Sequence, residues 1–360
     1  MRSWKQCWSL ELKKKEIRGI GDDRSVTKSA QTDKNDARIP AQPILGSAGD
    51  VFFVTNRRYR PNEKHIQLVF GDELAEESTC GALRTAGTSL SIVERSVSQS
   101  DCHERLLRFL EKHEKTIFFV HGYRNYFDTA GKSTISLGKL VPEAGIVLMS
   151  WPSRGERLAY AKDKEAVLLS RDVFSHLMGQ QLRRTEKKTL VDVLSHSMGG
   201  FLTHEVLRSL ASSGAVSNMS KFNNLVFAAP DIPVDMFQKA VSVWREISNR
   251  SVLYATEFDY ALATSSDLQG FPRAGQGGYN ALFVHADLET IDVGFADDPY
   301  YKRAYQARSV LLDAFSNHLY IFEDERVRRD LAKVLGENKD AVGRGLPALF
   351  KNGLRYFRIE

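Results

Sequence analysis

The chain has 360 residues, is 42% hydrophobic and carries a net charge of +5; that is ordinary globular composition, enough for a large buried core. Residues 1–46 hold ten Lys/Arg against six Asp/Glu, a net of +4, so the remaining 314 residues carry only +1. A body that close to neutrality lacks the basic face that phosphate backbones require, and no nucleic-acid partner is expected.

From the start of the chain, Trp4, Trp8 and Leu12 recur at helical spacing beside Lys13, Lys14 and Lys15. Residues 13–42 are rich in Lys, Asp, Ser, Thr and Gln and poor in large apolar side chains, so burial cannot offset their ordering entropy. Residues 1–46 are read as a disordered basic tail; a short membrane-surface helix within it is the less favoured alternative. No apolar run reaches bilayer length, and Met1 to Arg18 lacks the apolar core of a secretory signal. The three cysteines, Cys7, Cys80 and Cys102, show neither zinc spacing nor a disulfide framework, so unlinked thiols and a cytoplasmic location are expected.

After Val51 the pattern changes. Val51–Thr55, Ile66–Phe70 and Ser89–Val93 read as early strands. Thr116–Val120, Gly145–Met149, Leu190–Leu194, Leu225–Ala229 and Val252–Ala255 are continuous apolar runs of strand length, as parallel strands buried on both faces require. Between them Asp163–Arg184, with Ala166, Leu169, Val173, Leu177 and Met178 on one face, reads as a helix, as do Gly200–Ala211 and Asp235–Ile247. Ala281–Ala286 is strand-like, Thr290–Val293 is taken as the last strand, and Glu323–Leu335 reads as a helix. The alternation predicts an α/β architecture, a mostly parallel central sheet with helices on both faces. Residues 47–337 form the expected catalytic domain, and 338–360 a C-terminal extension.

Leu190–Leu210 carries the most chemistry. A buried-type strand ends at Leu194, the turn Ser195-His196-Ser197-Met198-Gly199 follows, and an amphipathic helix begins. A serine on such a turn projects its hydroxyl above the sheet, and close passage of strand and helix demands small residues two positions either side. Ser195 replaces the glycine usual at the first of those positions, and Gly199 fills the second. Ser197 is the candidate nucleophile. A serine that merely caps a helix would leave the preceding strand unexplained.

A serine nucleophile needs an oxyanion hole and a base. Met198 supplies one backbone N–H, and the loop His121-Gly122-Tyr123 after Thr116–Val120 supplies another, from Tyr123. Gly122 permits close approach of that loop, and His121 is expected to support it. In this chain order the acid and then the base follow the serine. His318, in a loop-like stretch beyond Thr290–Val293, is preferred as base over His285, in a strand-like run, and His204, on the helix after the nucleophile. Asp259, just beyond Val252–Ala255, is preferred as acid over Asp231, which precedes Ile232-Pro233 and is expected to cap a helix.

With these pieces placed, the chain resembles the bacterial alpha/beta hydrolases known as domain-of-unknown-function family nine hundred, from about Val51 to about Leu335. The markers are Val51-Phe52-Phe53-Val54-Thr55-Asn56-Arg57, Phe119-Val120-His121-Gly122-Tyr123 and Ser150-Trp151-Pro152-Ser153-Arg154-Gly155, with His196-Ser197-Met198-Gly199, Ala229-Pro230-Asp231 and Asp259-Tyr260-Ala261-Leu262. The family usually has Asn where this chain has Arg124, and often Gly where it has Asn317. The resemblance implies an alpha/beta-hydrolase fold and a Ser–Asp–His triad, and it implies no particular substrate. The expected activity is acyl hydrolysis of a small-molecule ester, less readily an amide or thioester, without metal or cofactor. The competing classes are a non-catalytic binding protein of the same fold and a lipase-like enzyme recruited to membranes by its tail.

Overall fold

The computed structural model describes residues 51–86, 89–156, 159–184, 189–214, 219–294 and 316–359; the tail 1–46 lies outside them. Eleven strands among these residues form one sheet: β1 (Val51–Tyr59), β2 (Phe70–Ala86), β3 (Ser89–Ser96), β4 (Lys115–Val120), β5 (Gly145–Ser150), β6 (Leu190–His196), β7 (Phe222–Ala228), β8 (Ser248–Ala255), β9 (Glu289–Val293), β10 (Ala348–Lys351) and β11 (Leu354–Ile359). Their spatial order is β10-β11-β9-β8-β7-β6-β4-β5-β1-β2-β3. From β1 across to β11 every neighbouring pair is parallel, and the antiparallel pairs lie at the two margins. The sheet is therefore mostly parallel, as the apolar runs predict.

The helices are α1 (Ile66–Val69), α2 (Gln99–Glu111), α3 (Phe127–Leu140), α4 (Tyr160–Arg184), α5 (Met198–Ser212), α6 (Val234–Ile247), α7 (Tyr260–Gln269), α8 (Tyr320–Glu323) and α9 (Glu325–Leu335). They cover both faces, and the two-residue period of a strand sorts the side chains between them. Along β4, Phe118 and Val120 join the core that contains Leu106 of α2, Phe174 of α4, Leu202 of α5 and Phe237 of α6. Ile117 and Phe119 join the opposite core, with Phe127 of α3 and Val327 and Leu331 of α9. Each such side chain taken fully out of water contributes roughly 1.5–3 kcal/mol.

Several expectations are corrected. Ile66–Phe70 is not a strand: Ile66–Val69 forms the single turn α1, and Phe70 opens β2. Ala281–Ala286 forms no strand either; it is the turn and loop that lead into β9. In α4 the buried line runs through Val167, Ser170, Phe174 and Leu177, whereas Leu169 is 62% exposed; the expected stripe was displaced around the helix because Ala166 and Val173 lie only at its margin. Thr290–Val293 is not the last strand. Residues 348–359, within the segment set apart as an extension, add β10 and β11, and β11 pairs with β9.

The expectation of unlinked thiols is corrected too. Cys80 on β2 and Cys102 on α2 are joined in a disulfide across a Cα–Cα distance of 5.6 Å. Packing of α2 on the sheet brings them together, and no local spacing in the sequence announces it. Among the described residues, no helix is long and apolar enough to cross a membrane.

Candidate active site

The turn at Ser197 follows from what surrounds it. β6 is buried from Val191 onward and delivers Ser195 and His196 to its C-terminal end. There Ser197 adopts φ 56° and ψ −126°, a region an L-residue enters only under compulsion, and α5 begins at the next residue. A Cβ on Gly199 would stand 2.4 Å from the carbonyl oxygens of both Val120 and His121, so only glycine lets α5 leave past the end of β4. Ser195, fully buried, fits the other crowded position and donates its hydroxyl to the Val226 carbonyl at 3.3 Å. The elbow is fixed by its own main chain: Ser197 N–H donates to Ala228 O at 3.0 Å, and Ser197 O accepts from Asp231 N–H at 3.1 Å. Met198 is the first residue of α5, so its N–H has no acceptor within the helix and sits where the helix dipole favours negative charge.

The loop after β4 lies against this turn. A Cβ on Gly122 would be 2.9 Å from Ser197 Cβ and 3.0 Å from His196 Nδ1, which makes Gly122 a close contact between the loop and Ser197. His121 is buried and stacked on Trp151, with ring centroids 5.2 Å apart. Its Nδ1 donates to Gly122 O at 2.9 Å. Burial, reinforced by the nearby Arg57 charge, pushes its pKa down to about 3, so the ring stays neutral. It lies behind the loop, between Trp151 and the Gly122 carbonyl.

His318 lies in a 3₁₀ turn, Ser316–Leu319, just before α8. Its Nδ1 is 2.6 Å from Asp259 Oδ2, and both side chains are buried. Burial lowers the imidazole pKa, but the charge and hydrogen bond of Asp259, with a further contribution from Asp231, outweigh it and leave the pKa raised above its usual 6.5. A second imidazole backs the first. His196 donates from Nε2 to the His318 carbonyl at 2.9 Å, with ring centroids 4.6 Å apart. His196 is itself pushed down to about 3, by burial first and then by His318. That backing role was missed in the sequence, although the residue stands beside the candidate nucleophile.

The competing acids separate clearly. Asp259 is the N-cap of α7: Oδ1 accepts from Leu262 N–H at 2.9 Å while Oδ2 faces the imidazole. Asp231 is not the cap expected of it, since Pro233 holds the N-cap position of α6 without a side-chain bond. It accepts from Tyr160 Oη at 2.6 Å and Ser265 Oγ at 2.7 Å, and Oδ1 lies 3.4 Å from Arg273 Nε. Neither rejected histidine joins this group. His204 is buried on α5 beside Glu205 and Trp244, and His285 is a partly exposed neighbour of Asp287. Among the described residues, no group of three or more His, Cys, Asp or Glu could hold a metal ion.

A family model described as "Alpha/beta hydrolase of unknown function (DUF900)" matches residues 98–293, more than half of the chain. No curated protein sequence matches. Among solved structures the chain is similar to lipase B of Aspergillus fumigatus, at 18% identity over 34% of this chain and 26% of that one, with a TM-score of 0.22. The match therefore spans about a quarter of that lipase's own length. It is similar also to the RedJ thioesterase of the prodiginine pathway of Streptomyces coelicolor, at 13% identity over 64% of this chain and 87% of that one, with a TM-score of 0.32. YbtT, a type II thioesterase of the yersiniabactin pathway, matches at 11% identity over 54% and 90%, with a TM-score of 0.25.

Proposed function

The chain belongs to the alpha/beta hydrolases of unknown function (DUF900), and from that premise we propose that it is a serine acyl hydrolase acting on a small-molecule ester. The observation that carries the reading is the 2.6 Å contact between Asp259 Oδ2 and His318 Nδ1, held beside the strained elbow that bears Ser197. With Nδ1–H given to the carboxylate, Nε2 is the basic nitrogen of the imidazole.

In this reading His318 takes the proton of Ser197 as Oγ attacks the ester carbonyl, and then returns it to the leaving alcohol. Asp259 keeps the ring in one tautomer and stabilises its cation. The Tyr123 and Met198 N–H groups stabilise the tetrahedral oxyanion. A water molecule, deprotonated by His318, then attacks the acyl-enzyme and frees the acid. The buried, neutral His196 holds the His318 backbone without competing for the proton.

Labelling with a fluorophosphonate tests this. The wild-type chain is expected to be labelled at one site and Ser197→Ala to be unlabelled with its fold intact. Ser195→Ala should still label, because that hydroxyl is engaged by Val226 O. Labelling that persists in Ser197→Ala overturns the assignment, and a wild-type chain that neither labels nor cleaves esters favours the binding-protein reading. Flotation with liposomes, comparing the intact chain with one lacking residues 1–46, decides whether the tail recruits it to membranes. The Cys80–Cys102 bond removes the thiol argument for a cytoplasmic setting.

A further inference from the structure

We propose that Asn125, which lies outside the triad and forms no part of the oxyanion hole itself, is the positioning residue that aims the Tyr123 N–H at the oxyanion. The inference rests on the serine-hydrolase reading above.

The starting point is the peptide group. In a trans peptide the C=O and the next N–H point to opposite sides, and no peptide in the described chain is cis. Fixing the Gly122 carbonyl therefore fixes the direction of the Tyr123 N–H. That carbonyl is held twice, by Asn125 Nδ2 at 3.1 Å and by His121 Nδ1 at 2.9 Å. Asn125 Nδ2 also donates to the Tyr123 carbonyl at 3.1 Å, so one amide clamps two successive peptides. Two carbonyl oxygens are its partners, which settles the orientation of the amide.

The clamp is itself anchored. The Asn125 carbonyl accepts from Arg57 Nη2 at 2.7 Å, and Asn125 N–H donates to Ser153 Oγ at 3.3 Å. Arg57 is fully buried and also donates to Ser150 Oγ and the Ser153 carbonyl. Ser153 Oγ donates to the buried Asp163 at 2.6 Å. At the start of the loop, Trp151 Nε1 donates to the His121 carbonyl at 2.8 Å. Carbonyls of His121, Gly122, Tyr123 and Asn125 are thus all bound by side chains. Arg124, which follows the two clamped peptides, sits at φ 60°, a region that non-glycine residues seldom enter. A loop relying on local preference would relax; this one is held in the arrangement that brings Gly122 against Ser197.

A hydrogen bond to a developing oxyanion is strong only if the donor is already in place. Loss of the clamp lets the Gly122–Tyr123 peptide rotate and should slow the chemical step without greatly altering substrate binding.

The test uses the full chain with a fluorophosphonate, whose phosphoryl oxygen enters the same hole, and a short-chain p-nitrophenyl ester. Asn125→Ala removes the donor, and Asn125→Asp keeps the shape but cannot donate. Both are expected to be labelled about 10- to 100-fold more slowly, less than the roughly 10²- to 10³-fold that loss of a hole donor costs. The loss should fall in kcat, with KM within about threefold, and the acid-side midpoint of the pH profile should not move, because His318 and Asp259 are untouched. Melting temperatures identify any variant that fails to fold, and the other variant then carries the test. A folded variant with near-wild-type labelling overturns the inference, as does a loss matched by a displaced pH midpoint, which would place the effect on the base. An active wild type with unaffected variants refutes this inference alone. A wild type that never labels or turns over refutes the serine-hydrolase reading and takes this inference with it.

Discussion

Two adjacent strand ends, those of β7 and β8, each present a buried aspartate to the same corner of the molecule, and the two carboxylates live in different company. Asp259, beyond β8, gives one oxygen to a helix N–H and the other to an imidazole that can gain or lose a proton. Asp231, beyond β7, is surrounded by the Tyr160 and Ser265 hydroxyls and the Arg273 guanidinium. Burial, and then the Asp231 charge, push the Tyr160 pKa upward, so its hydroxyl remains a donor. Position on the sheet does not tell the two carboxylates apart; their partners do, and the proposed mechanism uses the one that faces an imidazole. Asp231 holds α4 and α7 to the elbow, and Asp259 raises the pKa of His318.

The comparison predicts a double dissociation. Asp259→Asn should lose about 10⁴-fold in turnover with geometry retained, because the amide presents the wrong hydrogen bond to Nδ1, while its melting temperature stays near that of the wild type. Asp231→Asn should do the opposite. It leaves Arg273, buried to 1% exposure, without its carboxylate, at a cost of about 3 kcal/mol in urea unfolding, with turnover within a few-fold. Reversed phenotypes would move the acid to the β7 end.

A pH profile sharpens the contrast. His318 must be neutral to accept a proton, and its pKa is raised by Asp259, so wild-type activity should fall as pH drops through a midpoint above 6.5. In Asp259→Asn the raising influence is gone and burial remains, so the residual activity should keep its acid limb at lower pH. Asp231 acts on His318 only through space, and Asp231→Asn should move the midpoint little. The smallest expected effect is that of Tyr160→Phe, which removes one hydroxyl from Asp231: about 1 kcal/mol of stability and near-wild-type turnover.

How much of this was legible beforehand depended on whether the information was local. The elbow was legible because strand, turn and helix are contiguous from Leu190 to Leu210, and the structure places those elements there. His318 and Asp259 are named from chain order, and the structure brings their side chains together across a sequence separation of 59. The supporting cast was not legible. Arg57 and Ser150–Gly155 are legible only as markers of a resemblance, and their common purpose appears when Arg57, on β1, reaches Ser150 of β5 and the Asn125 carbonyl. The Asp231 surroundings come from residues 34 and 71 positions away, and a helix cap was the natural local reading. Ile66–Phe70 misled for the reverse reason: its apolar residues suit a strand, but they pack as a single helical turn against α3 before β2 begins.

The backbone of Ser197 has one further consequence. Holding a residue with a side chain at φ 56° works against the folded state by roughly 1–3 kcal/mol. Glycine would relieve that opposition and lose some conformational freedom in return, so Ser197→Gly should melt slightly above the wild type, by about 1 kcal/mol, while being inert toward a fluorophosphonate. The most heat-resistant descendant of this sequence at that position would then be a dead one. Selection for thermal endurance alone would drift away from hydrolysis, and only a screen that demands turnover would keep the hydroxyl in its uncomfortable place.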